Sequence, residues 1–237
     1  MKLACSSAAF DERFRSGDLT QLEWVDLCAH ELAADGAVFD VRHFPRTDTD
    51  YLAQIKKMAA DTGLTVAALS DAAFFSASDD RMKNTFEMAL AVGAPLLCST
   101  LPAETQTSWS EVKERLDEGC SLAKRANVTL AVRNVPQTFA ASSHDLKRVA
   151  KEADSAWLRF GPDLDRFEAS DDRDAILARS VIAFFPAGEP SASARLLTGF
   201  RGFAVLDDAA GTSDAGQMKN ALHAWRRAFS DFEVNRT

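Results

Sequence analysis

The sequence predicts a single (β/α)₈ barrel over residues 1–237, and three observations support this fold class. Eight short apolar runs alternate along the chain with longer amphipathic segments. Each apolar run is nearly continuous, which is typical of parallel strands covered on both faces. The connections are short, so consecutive strands are expected to pair in parallel through right-handed crossovers, and eight such units close into a barrel.

The apolar runs give the predicted strands. These are Leu3–Ser6, Ala37–Val41, Thr65–Leu69, Pro95–Ser99, Val128–Val132, Leu158–Gly161, Val181–Phe185 and Phe203–Leu206. A doubly wound open sheet is the competing architecture. It is disfavoured because Ser6-Ser7-Ala8-Ala9, and not a glycine-rich dinucleotide fingerprint, follows the first strand.

Apolar residues at three- and four-residue spacing predict the helices between these strands. The predicted helices are Leu19–Leu32, Thr49–Thr62, Asp79–Val92, Trp109–Ala126, Ser143–Ala153, Asp171–Arg179 and Ala215–Phe229, with one or two turns over Ser191–Thr198. We expect Asp18 to cap the first helix, Gly63 to end the second, and Ser108 with Glu111 to form a capping box before the fourth.

Composition excludes several classes of protein. A net charge of −8 without a dense Lys/Arg run argues against nucleic-acid binding. No apolar stretch reaches the roughly 20 residues that span a bilayer, and the first residues do not resemble a signal peptide. The cysteines at 5, 28, 98 and 120 are far apart, so we expect small buried side chains in a reducing, cytoplasmic compartment.

Polar residues follow the predicted strands, at the end of the barrel where active sites gather. They are Arg42, His43, Arg46, Asp71, Ser99, Thr100, Arg133, Asn134, Asp163, Asp165, Arg166, Glu189, Asp207 and Asp208. Most of the carboxylates are expected in surface salt bridges or helix caps. Arg133, Asp163 and Asp207 end strands of apolar residues, so their side chains are expected to point into the mouth of the barrel.

Several stretches resemble the sugar-phosphate isomerase/epimerase family, whose barrels are xylose isomerase-like. These stretches are Asp35-Gly36-Ala37-Val38-Phe39, His43-Phe44-Pro45 with Asp50-Tyr51-Leu52, Leu130-Ala131-Val132-Arg133-Asn134, Gly161-Pro162-Asp163 and Gly199-Phe200-Arg201-Gly202-Phe203. The resemblance covers nearly the whole chain. It implies a site at the carboxyl ends of the strands, where one divalent metal orients sugar oxygens and two glutamates move a proton.

This sequence departs from the family's metal ligands, which are Glu, Asp, His and Glu on strands five to eight. Those positions hold Arg133, Asp163, Phe185 and Asp207. Arginine has only donors and cannot ligate a metal. We therefore expect no metal but an arginine–carboxylate cluster, in which Arg133 pairs with Asp163 or Asp207. A weak divalent ion at Asp163 and Asp207 stays open.

Three hypotheses for function follow. The first is a metal-independent enzyme acting on a small carbohydrate or sugar acid, with Asp163 and Asp207 as acid and base and Arg133 as the electrophile. The second is a non-catalytic or regulatory protein in which Arg42, His43, Arg133 and Arg166, beside Asn134, bind an anionic ligand. The third is a structural partner, and a homo-oligomer is left open. His43 is either a base or part of the wall.

Overall fold

The computed structural model describes residues 1–234, with the side chains at 193 and 232–234 left aside. Eight strands are hydrogen-bonded in the order β6-β5-β4-β3-β2-β1-β8-β7. The strands are β1 (Lys2–Ser6), β2 (Gly36–Asp40), β3 (Thr65–Ser70), β4 (Leu96–Thr100), β5 (Thr129–Arg133), β6 (Leu158–Phe160), β7 (Ile182–Pro186) and β8 (Phe203–Asp207). The segment before β7 bonds back to β6 through a parallel bridge between Phe160 and Ser180.

Helices follow the strands in alternation, which confirms the predicted (β/α)₈ fold. The α-helices are α1 (Asp11–Ser16), α2 (Gln21–Asp26), α3 (Thr49–Asp61), α4 (Asp79–Val92), α5 (Trp109–Ala126), α6 (Ser143–Ala153), α7 (Arg173–Leu177) and α8 (Ala215–Val234). Shorter turns are Ser7–Phe10, Leu27–Glu31, Val41–His43, Phe74–Ser76, Leu164–Arg166 and Ala192–Leu197. No helix in this described part is long and apolar enough to cross a membrane.

All eight predicted strands are confirmed within one or two residues, and α4, α5 and α6 have the predicted bounds. Five expectations need correction. The helix predicted over Leu19–Leu32 consists of α2 and a π-helix over Leu27–Glu31, and the last helix extends beyond the predicted Phe229 to Val234. The sequence pattern missed α1, because Phe14 is the one apolar residue in that helix. Thr20, and not Asp18, caps α2, since Glu23 completes a capping box with Thr20. The helix predicted from Asp171 begins at Arg173, where the side chain of Asp172 accepts the Ala175 amide.

The chain forms two compact units, one of Met1–Ala67 with the chain from Phe184 onward, the other of Ala68–Ala183. The first unit packs aromatic rings behind its strands. Trp24 lies against Phe10 at 5.1 Å between ring centroids. Phe185 lies against Trp225 of α8 at 4.5 Å. Because Phe185 faces α8, strand alternation puts Phe184 on the opposite face of β7.

The second unit holds a separate aromatic cluster. The ring of Phe74 meets those of Phe75 and Phe86 edge to face. Gly119 brings α5 close to this cluster, and an added Cβ there would lie 3.2 Å from Leu130 and 3.3 Å from Phe74. All four cysteines are free and buried across the two units, as expected from their spacing.

We predict that Gly36→Ala destabilises the first unit. A Cβ at this position would lie 2.7 Å from the ring of Phe203 on β8 and 3.0 Å from the backbone oxygen of Thr65 on the neighbouring strand β3. The backbone cannot withdraw without breaking strand pairing, so we expect a loss of about 1–3 kcal/mol in the free energy of unfolding. Thermal or urea denaturation measures it. Gly188→Ala is the control, because nothing lies within 4 Å of an added Cβ there.

Candidate functional site

The last residues of β5 and the first residues after β6 form one cluster in the second unit. Arg133 ends β5, in register with Thr100 of β4. Asn134 follows it and is 1% exposed. Its side-chain amide accepts a hydrogen bond from the Asp163 backbone N–H at 2.7 Å and donates one to the Asp163 backbone oxygen at 3.1 Å. This pair of bonds ties the chain after β6 to the end of β5.

Asp163 is the buried carboxyl group of this cluster, with 6% of its surface exposed. Its Oδ2 pairs with Nε of Arg166 at 2.7 Å. Its Oδ1 is buried and has no hydrogen-bond partner in the protein. Burial raises the pKa of Asp163 above its ordinary value, although the charges of Arg166 and Arg133 act in the opposite direction. The protonated form is therefore favoured relative to an exposed aspartate.

The arginine of β5 acts on its surroundings through its charge. The charge of Arg133 opposes the rise that burial causes in the pKa of Asp163. It also opposes the effect of burial on the thiol of Cys98 on β4, whose pKa is raised to about 12. The direct ion pair of Asp163 within this unit is nevertheless with Arg166. The expected pairing of Arg133 with Asp163 or Asp207 stays a prediction, and the Asp163 carboxylate contacts Arg166.

A second cluster lies in the first unit, at the end of β2. Arg42 binds the buried Asp40 with two parallel bonds, Nε to Oδ1 at 3.0 Å and Nη2 to Oδ2 at 2.8 Å. Hydrogen bonding to Asp40 is the main cause that raises the pKa of Arg42, and the charges of Asp11 and Asp207 add to it. Asp207 ends β8 and is half-buried. Carboxylates therefore surround the guanidinium of Arg42.

His43 is enclosed in the same cluster, with 2% of its side chain exposed. Nδ1 lies 2.9 Å from the Ser7 hydroxyl and Nε2 lies 2.9 Å from Asp11 Oδ1. The ring stacks on Phe14 at 4.2 Å. The Asp11 carboxylate can only accept, so Nε2 of His43 donates to it. In the neutral ring Nδ1 is then the acceptor, and the Ser7 hydroxyl donates to it while its oxygen accepts the Asp40 N–H.

Sequence reasoning missed Ser7, Asp11 and Asp40 as members of this cluster. Asp40 ends a run of apolar residues, the same signal that selected Asp163, but the predicted strand ran on to Val41. Asp11 lies on α1, in which Phe14 is the one apolar residue. The sequence of this helix therefore shows no regular spacing of apolar residues. Ser7 is completely buried, and a lone serine after a strand carries no signal of its own. These residues connect to His43 only through the fold.

The residues at the strand ends do not fit the metal site that the family resemblance implies. Arg133 stands at the fifth-strand position with donors only. Phe185 faces Trp225, and the residue on the opposite face of β7 is Phe184, so neither face offers a histidine. Among the side chains that the structure describes, up to residue 231, no group of three or more His, Cys, Asp or Glu residues is arranged to hold a metal ion.

Comparison with known proteins gives one family. A family model described as xylose isomerase-like TIM barrel matches residues 26–183. No curated protein matches the sequence.

Solved structures share the fold. D-psicose 3-epimerase with D-tagatose, from Clostridium cellulolyticum H10, is 12% identical, with a TM-score of 0.76 over 98% of this chain and 99% of that one. The probable 3-DHS dehydratase AsbF from Bacillus anthracis is 13% identical, with a TM-score of 0.75 over 95% and 99%. A xylose isomerase-like TIM barrel/4-hydroxyphenylpyruvate dioxygenase fusion protein is 14% identical, with a TM-score of 0.71. The match covers 95% of this chain, which spans 42% of the length of the fusion protein.

We predict that Ser7→Ala destabilises the protein by about 1–3 kcal/mol. The change leaves the Asp40 N–H and Nδ1 of His43 without their shared partner in a buried place, and each loses a hydrogen bond that water cannot replace. Urea denaturation measures the loss. Ser16→Ala is the control, because the Ser16 hydroxyl bonds its partners on the surface, and a change within about 0.5 kcal/mol is expected there. Equal effects of the two substitutions would contradict the buried network.

We also predict that Asp163→Asn stabilises the protein at pH 7. A carboxyl group whose pKa is raised by folding contributes stability below the unfolded pKa of about 3.9 and loses it as the pH rises through the raised value. Asparagine does not ionise and avoids this loss. The melting temperature is expected to rise by roughly 2–4 °C, the shift that about 1 kcal/mol produces in a domain of this size.

The pH dependence distinguishes this effect from a general one. The gain from Asp163→Asn should shrink as the pH falls toward 3. Asp172→Asn is the matched control, since a hydrogen bond from Lys147 lowers the pKa of Asp172. That variant should be less stable than the wild type at pH 7, with the difference fading in acid. A wild type that is more stable than Asp163→Asn at every pH would overturn the assignment.

Proposed function

Because this chain belongs to the family of xylose isomerase-like TIM barrels, we propose that it binds a small carbohydrate or sugar acid at the carboxyl ends of its strands. We propose that it acts on this ligand by acid–base chemistry without a divalent metal. One observation carries the proposal. Asp163 is buried beside two arginines, holds Arg166 with one oxygen, and has a second oxygen without a partner.

We propose that arginine side chains, and not a divalent ion, supply the positive charge of the site. A divalent ion in the family's site would stabilise negative charge that develops on a sugar oxygen. Arg133 already brings a permanent positive charge to the end of β5, and Arg166 brings another to Asp163. Guanidinium groups bind carboxylates and oxyanions in a planar fork. A sugar acid or a carbonyl oxygen is the ligand chemistry that these two cations favour.

The raised pKa of Asp163 suits the role of a proton donor. Desolvation favours the protonated carboxyl. Oδ1 is the proposed position of the proton, because this oxygen has no hydrogen-bond partner in the protein. A proton passed from Oδ1 to a ligand oxygen leaves the Asp163 carboxylate, which the ion pair with Arg166 stabilises. The same carboxylate takes a proton back when the product forms, so the enzyme returns to its starting state.

The remaining site residues keep the roles that the sequence predicts, as part of this proposal. Asp207, at the end of β8 in the first unit, keeps its proposed role as an acid–base group. Arg42 and His43 keep their proposed role in ligand binding, and their existing partners define how. Arg42 is held by Asp40, and both ring nitrogens of His43 are bonded. Both side chains are therefore held in place, and they contribute shape and charge to a binding site more readily than new hydrogen bonds to a ligand.

A non-catalytic binding protein for an anionic small molecule is the second candidate. The observation that favours it is that Arg133 at the end of β5 and Arg166 in the turn after β6 both bring positive charge to Asp163. Two guanidinium groups can hold a carboxylate or phosphate without any proton transfer. The two candidates differ in one measurable event. Only the enzyme catalyses exchange of a carbon-bound hydrogen of the bound sugar with D₂O.

The test is calorimetric titration of the chelator-treated protein with D-gluconate, D-fructose and MnCl₂. We expect D-gluconate to bind in the micromolar to millimolar range, with at least a tenfold loss of affinity in Asp163→Ala and in Arg133→Ala. MnCl₂ should give no heat above dilution. Asp172→Ala is the control for removing a carboxylate from the exposed surface.

Either of two results would contradict this proposal. One is micromolar Mn²⁺ binding that disappears in Asp163→Ala, which would restore a metal site at β6. The other is D-gluconate and D-fructose binding that neither substitution changes. NMR of bound D-fructose in D₂O then separates the enzyme from the binding protein. Loss of a carbon-bound proton signal in wild type and its persistence in Asp163→Ala support acid–base catalysis.

A further inference from the structure

At the carboxyl ends of β5 and β6, a side-chain group takes the place of a backbone group in the hydrogen-bond ladder between the two strands. Backbone bonds join the two strands in regular order, with Leu130 N–H to Trp157 oxygen at 2.9 Å and Gly161 N–H to Val132 oxygen at 3.0 Å. In a parallel pair, the next partner of the Asp163 N–H would be the backbone oxygen of residue 134. Instead, the Asp163 N–H meets the side-chain oxygen of Asn134 at 2.7 Å.

The Asn134 side chain also returns a bond. Its Nδ2 donates to the Asp163 backbone oxygen at 3.1 Å. A side-chain amide has the same C=O and N–H groups as a peptide bond, so it satisfies both backbone groups of Asp163 at once. Asn134 is 1% exposed, and these bonds are therefore shielded from exchange with water.

We propose that Asn134 is a positioning residue for Asp163, whose side-chain amide replaces the missing backbone rung of the β5–β6 ladder. The role of Asp163 in this statement rests on the proposed function, whereas the rung itself does not. The substitute is needed because the chain leaves β5 after Arg133. Gln137 has a positive φ of 64°, and Thr138 bridges to Ala103, so this segment runs toward the residues after β4.

The rung decides where the carboxyl group of Asp163 lies. Asp163 is the residue before the turn Leu164–Arg166, and the Arg166 N–H reaches its backbone oxygen at a long 3.3 Å. The backbone N–H of Asp163 donates to the side-chain oxygen of Asn134. With both backbone groups fixed, Oδ2 reaches Arg166 while Oδ1 stays unpartnered. Freed from Asn134, the peptide of Asp163 can rotate and change the direction of both oxygens.

Three substitutions separate the two halves of the rung. Asn134→Asp keeps an acceptor for the Asp163 N–H and removes the donor. Asn134→Ala removes both groups. Leu146→Ala is the matched control, because Leu146 is completely buried on α6 and its truncation lowers stability without touching Asn134.

The first measurement is the amide proton of Asp163 in ¹⁵N-labelled protein without any ligand. In Asn134→Ala we expect its resonance to move upfield and its exchange rate, relative to that of the Ala131 amide on β5, to rise at least tenfold. In Leu146→Ala the ratio of the two rates should stay as in the wild type. An unchanged Asp163 amide in Asn134→Ala would overturn the inference.

The second measurement is D-gluconate binding by calorimetry. Asn134→Asp and Asn134→Ala should each weaken binding at least fivefold, and Leu146→Ala should leave the affinity of the folded protein unchanged. Equal affinities in wild type and Asn134→Ala would mean that the rung does not position Asp163 for a ligand. If the wild type itself does not bind D-gluconate, the proposed function fails for this probe, and the amide measurement still decides whether the rung exists.

Discussion

Parallel pairing brings the carboxyl ends of neighbouring strands to the same edge of the sheet, and the polar clusters of this protein depend on that constraint. Each backbone N–H and C=O must find a partner in the ladder, which fixes the register of one strand on the next. The register puts Arg133 opposite Thr100 and ties Asp163 to Asn134. Residues about thirty positions apart thereby form one polar cluster without any help from local sequence.

The cluster at β6 illustrates the cost of a buried carboxyl group. Moving an aspartate from water into the protein favours its neutral form, and the ion pair with Arg166 offsets part of that cost. The other oxygen of Asp163 has no partner, an uncommon condition for a buried polar atom in a folded protein. Such unfulfilled groups concentrate where a protein binds or reacts with something, and Asp163 is the group on which the proposed function depends.

In the cluster at the end of β2, by contrast, the buried polar side chains are hydrogen-bond partners of one another. Asp40, Arg42, His43, Asp11 and Ser7 satisfy one another through short hydrogen bonds. A complete network of this kind is rigid, because each member loses a buried hydrogen bond when any other moves. The structure therefore gives Arg42 and His43 partners of their own, which the sequence did not indicate when it selected them as ligand-binding residues.

Sequence patterns correctly predicted the elements that depend on residues close together in the chain. The capping box at Ser108 and Glu111 and the length of α5 follow from side chains within one turn of each other. The eight apolar runs became strands because each needs cover on both faces. The short α1 was missed, because Phe14 is its one apolar residue. The face of Phe185 was not predicted either, since a run of apolar residues shows no alternation from which to choose a side.

The sequence by itself determined the (β/α)₈ fold and its family resemblance, because these depend on residue type and order along the chain. Only the tertiary structure decided that Arg166 contacts Asp163, that Asn134 completes the β5–β6 ladder, and that His43 lies between Ser7 and Asp11. Those are contacts between segments distant in sequence. Their partners are chosen by strand register and by the need of every buried polar group for a hydrogen bond, and no local pattern encodes either.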